Sequence, residues 1–185
     1  ECLIGIAFGV IRLSLLILLE TSLGWQKWQA GVDWPGAILP GFLTGIGAGF
    51  AEELLFRGWL LTELEKDYGE KHSLFLDSGI FALLHLNFVK LFESIAIVGV
   101  QLPGLALLGM DLVWAKRSRS GRLGLAIGLH GGLVWAYYAI DTTKLLVSAQ
   151  AVPEWVTGIG GNPIAGMMGI MCLGAIALVL RSTNR

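Results

Sequence analysis

The chain has 185 residues, of which 55% are hydrophobic and only 15% charged, with 26 glycines and a mean hydropathy of +0.70. A soluble domain carries about 25% charged residues, so this chain cannot clothe a water-facing surface, and its apolar excess equally excludes disorder. A net charge of −1 gives no electrostatic footprint for nucleic acid. What remains is an all-α, polytopic transmembrane helix bundle forming a single domain over residues 1–185. Its partner is the lipid bilayer, where an ionised residue inside an apolar run raises a functional question.

A helix rises about 1.5 Å per residue and needs about 20 apolar residues to cross a bilayer. About six such spans are expected in chain order. They are Cys2–Leu19, Gly36–Glu63, Ser73–Val89, Glu93–Ala115, Leu123–Ile140 and Gly161–Leu180. The chain opens at Glu1-Cys2 rather than at methionine, so an N-terminal part is expected to have been removed or left out. Leu3–Leu19 lacks the basic flank of a cleavable signal peptide. Cys2 and Cys172 both fall in apolar stretches and read as reduced, buried thiols. The connections are polar or turn-rich: Trp25–Pro35, the charged Glu65–His72, the basic Lys116–Arg122 and the long Asp141–Gly160 with Pro153.

With the basic loop on the cytoplasmic side, alternation places Lys66, Lys71, Lys116, Arg117, Arg119, Arg122, Arg181 and Arg185 there, against Lys27, Lys90 and Lys144 opposite. That is a positive-inside bias with both chain ends cytoplasmic. Trp25, Trp28, Trp34 and Trp155 then lie near the outer interface, and Trp59 and Trp114 near the inner one, as an aromatic belt requires. Glycines recur at four-residue spacing, as Gly41, Gly45 and Gly49 in the second span and Gly124, Gly128 and Gly132 in the fifth. Each set lies on one helical face, where bare backbone lets a neighbouring helix come close.

The same helices carry polar residues that do not suit lipid. In Gly49-Phe50-Ala51-Glu52-Glu53-Leu54-Leu55-Phe56-Arg57, each carboxylate costs about 2.5–3.5 kcal/mol on insertion scales. Glu53 and Arg57 are spaced to pair on one face, whereas Glu52 is turned by about 100° and is left for chemistry. An alternative is that the helix ends early and both glutamates are solvated. His85 sits in the apolar third span and His130 among glycines in the fifth. Counted from the cytoplasmic ends, Glu52, His85 and His130 share one slab at depths of roughly 10–18 Å. A glutamate with two imidazoles can hold and deprotonate a water, and a histidine can donate to an oxyanion. His₂Glu is also a catalytic zinc set, although the H-E-x-x-H helix signature is absent.

Glu52-Glu53-x-x-x-Arg57, Phe81-x-x-x-His85 and the His130 segment, taken in order, resemble the motifs of the CAAX-protease and bacteriocin-processing family, the Abi proteins. The Gly-rich helix, basic loop and histidine helix of Leu102–Trp135 are similar too, and the likeness spans roughly residues 40–140. The resemblance implies an intramembrane, metal-independent glutamate protease without a cofactor, acting on a peptide or membrane protein. Eukaryotic members remove the last three residues of prenylated CAAX proteins. By position, Glu52 with His85 would activate water, Glu53 with Arg57 would organise the site, and His130 would help form the oxyanion hole. Where the family often has H-x-x-x-N, this chain has Val134, a form similar to bacterial and plastid members. The implied location is a bacterial inner membrane or a plastid or thylakoid-type membrane. Loss of an oxyanion donor typically costs about 10²–10³ in rate, so a second reading is a non-catalytic assembly factor or accessory subunit of a larger membrane complex.

Overall fold

Helices dominate because nearly every apolar run is long enough to satisfy its own backbone, as lipid demands. The computed structural model describes residues 1–86 and 95–182. Asn87–Val89, Lys90, Glu93 and Arg185, which the sequence reading placed in spans or loops, lie outside the described residues.

The chain opens with helix α1 (Cys2–Ser22), followed by strand β1 (Gln26–Trp28). A 3₁₀ turn at Pro35–Ala37 leads into α2 (Ile38–Glu53). The next seven residues, Leu54–Leu60, are π-helical, and α3 (Leu61–Leu84) continues from them. Then come α4 (Ile95–Arg117) and α5 (Gly124–Thr143). Strand β2 (Leu146–Ser148), the short α6 (Glu154–Thr157) and α7 (Met167–Ser182) complete the order. Each expected span is represented by a helix among the described residues, but details differ. The expected turn at Glu65–His72 is helical on both sides of one bend at Gly69, whose φ of 71° and ψ of 168° are open essentially to glycine alone. The second span changes to π geometry after Glu53. The last span begins at Met167 rather than Gly161, because Pro163 and Gly166 occupy a 3₁₀ turn and its cap.

The fold has two compact units. The first, Glu1–Glu53 with Leu123–Pro153, is built around α5, which packs against α1 and α2. The glycine ladders are the packing surfaces. A Cβ at Gly9 of α1 would stand 2.7 Å from the Leu129 carbonyl oxygen, and one at Gly49 of α2 would stand 2.7 Å from that of Ile127. Backbone touches backbone at both seams, which is the small-residue packing that lipid-embedded helices favour. The ends of this unit carry the antiparallel pair β1 and β2, with Lys27 opposite Val147. Three-residue strands are too short to show a period-two pattern, so the sequence did not reveal them.

The second unit, Leu54–Arg122 with Glu154–Arg185, packs α4 against α3 and α7. Leu61, Leu74 and Val113 form one buried cluster, and Ala82, Leu86 and Leu105 another. Besides their apolar cores, both units bury charges and expose large apolar side chains. Leu3, Ile11, Leu15, Leu43, Phe50 and Leu178 point outward, while Glu53, Arg57, Asp77 and Asp111 are fully buried. Cys2–Ser22 and the run Pro35–Leu84 are long and apolar enough to cross a membrane. Apolar side chains facing outward, with the few charges held inside, are the arrangement a bilayer stabilises.

Candidate active site

Glu52 and Glu53 occupy the last turn of α2 in the first unit, and His130 faces them from α5. Glu53 is fully buried and accepts a hydrogen bond from His130 Nδ1 at 2.9 Å. The other ring nitrogen, Nε2, lies 3.8 Å from Oε2 of Glu52, whose side chain is 31% exposed. The half-open Glu52 is thus the carboxylate that water can reach. This contact requires α2 and α5 to approach closely one turn earlier. Gly49 supplies the approach, since a Cβ there would meet Ile127 and Gly131 backbone atoms. With Glu53 as an ionised acceptor, the hydrogen sits on Nδ1, and Nε2 of a neutral ring would face Glu52 as an acceptor. A carboxylate that fixes an imidazole's tautomer is a recurrent way to orient a catalytic histidine.

Arg57 and His85 belong to the second unit, and the structure joins them through Phe81. Asp77, Phe81 and His85 follow at four-residue intervals and so lie along one face of α3. Arg57 is fully buried in the π-helical stretch, a geometry that recurs at functional sites. Its Nη2 donates to the Gly109 carbonyl of α4 at 3.0 Å. Its Nε stands 3.4 Å from Oδ2 of Asp77, which is also fully buried. The guanidinium carbon lies 4.4 Å from the Phe81 ring centroid, a cation–π contact worth about 2 kcal/mol when desolvated. Phe56 meets Phe81 edge-on at 5.2 Å. The His85 ring lies 4.0 Å from the Phe81 ring, tilted by 33°.

His85 caps α3 rather than lying inside it. Its φ of −88° and ψ of −4° are those of a residue leaving the helix, and its backbone N–H bonds the Phe81 carbonyl. Its Nδ1 donates to the same carbonyl at 2.8 Å. A carbonyl only accepts, so Nε2 of the neutral ring is an acceptor nitrogen here too. The spacing Phe81-x-x-x-His85 therefore has a local physical reason: one residue supplies both the carbonyl and the ring that set the imidazole.

The structure brings Glu52, Glu53 and His130 together in one unit, and Arg57 with His85 in the other. Asp77 was missed by the sequence reading. The available signal was a charge inside the apolar run Ser73–Val89, the same signal that singled out Glu52 and Arg57. Asp111 is fully buried in α4, and neither of its carboxyl oxygens has a hydrogen-bond partner among the described residues. Among those residues no group of three or more His, Cys, Asp or Glu side chains is spaced to hold a metal ion.

No curated protein and no solved structure matches the chain. The family model described as "Type II CAAX prenyl endopeptidase Rce1-like" matches residues 34–136. That stretch includes both glutamates, Arg57, Phe81, His85 and His130, and it covers more than half of the sequence. The chain therefore belongs to the Rce1-like family of type II CAAX prenyl endopeptidases, a family of membrane-embedded proteases.

Proposed function

We propose that this protein is an intramembrane endopeptidase that hydrolyses a peptide bond near the cytoplasmic face of a bacterial inner or plastid-type membrane. Glu52 and His85 hold the attacking water, and one of its protons passes to this pair as oxygen adds to the peptide carbonyl. His130, oriented by Glu53, receives a proton at Nε2 from the Glu52 side and as imidazolium donates to the oxyanion. Collapse of the tetrahedral intermediate returns a proton to the departing amine. Glu53 and Arg57 organise the centre from either side of the change to π geometry.

The observation that carries this reading is the placement of His130 between the two glutamates. Its Nδ1 lies 2.9 Å from the Glu53 carboxyl and its Nε2 faces Glu52, while His85 likewise has Nδ1 2.8 Å from the Phe81 carbonyl. A histidine held by Glu53 with its other ring nitrogen 3.8 Å from a half-open glutamate suits hydrolysis better than passive helix packing.

The test is cleavage of a fluorescence-quenched, farnesylated CAAX peptide, and of unmodified transmembrane peptides, by the detergent-solubilised full chain. Glu52→Gln and His85→Ala should each lower turnover by about 10²–10⁴ while the helices remain folded. Full activity in folded Glu52→Gln would sink the mechanism. Val134 motivates the second reading, a non-catalytic assembly factor or accessory subunit. Complementation by a Glu52→Ala/His85→Ala chain that co-purifies with one membrane complex would favour it.

A further inference from the structure

The Arg57–Asp77 pair calls for an explanation beyond stability. Removing two charges from water costs about what their attraction returns, and apolar residues of similar volume often pack as well or better. What a buried pair supplies is geometry. Here the geometry leads from Asp77, through the guanidinium and the Phe81 ring, to the His85 imidazole.

The backbone of Arg57 is held as well. Lys116, in the last turn of α4 and itself 9% exposed, donates to the Arg57 carbonyl at 2.6 Å and to the Thr62 hydroxyl at 3.2 Å. Thr62 in turn donates to the Gly58 carbonyl at 2.8 Å. An ammonium and a hydroxyl thus bind two carbonyls of the π-helical stretch, whose wider turn is the less favoured helical form. The guanidinium also reaches the Gly109 carbonyl, so α4 holds Arg57 by its main chain and by its side chain.

We propose that Asp77 and Lys116 are positioning residues of the hydrolytic centre, acting on His85 through Arg57 and Phe81. Asp77 fixes where the guanidinium lies on the Phe81 ring, and Lys116 fixes the backbone from which that guanidinium projects. The Phe81 ring and carbonyl then set the His85 plane and tautomer. This inference rests on the reading of His85 as a proton acceptor given above.

The experiment measures kcat and KM for farnesylated CAAX peptide cleavage by the detergent-solubilised full chain, per folded molecule. Asp77→Asn keeps the side-chain shape and removes the charge. Misplacing a reacting group by about 1 Å costs about 10² in rate, so Asp77→Asn should lower kcat by about 10–10²-fold and leave KM within about twofold. In an Arg57→Lys background the same change should cost less than about twofold more, because its effect passes through Arg57. Lys116→Met should lower kcat, and Lys116→Arg, which keeps a cationic donor, should recover most of it.

Wild-type kcat in folded Asp77→Asn overturns the proposal, and so does the full loss repeated in the Arg57→Lys background. A merely structural role would lower melting temperature without that pattern in kcat. If Asp77→Asn does not fold, the Lys116 pair decides: wild-type kcat in Lys116→Met overturns the inference. Absence of any Glu52-dependent cleavage by the wild-type chain overturns the protease reading and the positioning role with it. Glu52-dependent cleavage that is indifferent to Asp77 and Lys116 overturns only the positioning role.

Discussion

Replacing Gly49 with alanine places a methyl group 2.7 Å from the Ile127 carbonyl oxygen and 2.9 Å from the Gly131 backbone nitrogen. Both atoms are α5 backbone, so no side chain can swing aside. Ordinary non-bonded contact would need α2 and α5 to separate by about 0.5–1 Å. The Glu53–His130 bond lies one turn further along the same seam, and the same separation would stretch its 2.9 Å to the limit of a hydrogen bond. Overpacking costs about 1–3 kcal/mol, and weakening a buried, charge-assisted bond adds up to about 1.5–3 kcal/mol. The better helix propensity of alanine returns about 0.8–1 kcal/mol. A net loss of about 2 kcal/mol corresponds to a melting temperature about 4–8 °C lower for a chain of this size. Gly47→Ala is the control, because nothing lies within 4 Å of a Cβ there; it gains the propensity without the clash. Thermal unfolding in detergent and peptide cleavage should both separate the two variants, with Gly49→Ala impaired and Gly47→Ala equal to or better than wild type. If Gly49→Ala matches Gly47→Ala in both assays, the close seam does not shape the site and the reasoning fails.

Gly69→Ala introduces no contact within 4 Å, yet it should destabilise by about 1–3 kcal/mol, because a φ of 71° with a ψ of 168° is strained for any residue with a Cβ; an unchanged melting temperature would contradict that backbone geometry. Glu53→Gln keeps the volume but can present an amide N–H to His130 and so select the other tautomer. Its turnover should fall by about 10²–10⁴ at unchanged secondary structure, and wild-type turnover would remove the orienting role of Glu53. Proteolysis should survive EDTA and phenanthroline at concentrations that strip zinc from protein sites. Inhibition that zinc alone reverses would instead support a metal-assisted mechanism.

The family and the membrane class were legible without coordinates, because both rest on local chemistry. Composition excludes a water-facing surface, apolar runs of bilayer length give the helices, and Glu52-Glu53-x-x-x-Arg57 with Phe81-x-x-x-His85 is a contiguous pattern. The glycine ladders foretold close packing, since four-residue spacing defines a face whatever lies opposite. Which partner each ladder meets was not legible. Gly45 and Gly49 of α2 abut the α5 backbone, whereas Gly128 and Gly132 of α5 abut that of α1. Nor could the sequence show that His130 turns Nδ1 toward Glu53 and Nε2 toward Glu52, because those residues are 77 positions apart in the case of Glu53. Asp77 stands 20 residues beyond Arg57 and Lys116 stands 59 beyond it, and no helical period links such distances. Helix periodicity is a property of neighbours along the chain, so it sets faces and spans. The tautomer of a histidine and the partner of a buried arginine depend on atoms contributed by other helices, and only the packed structure decides them.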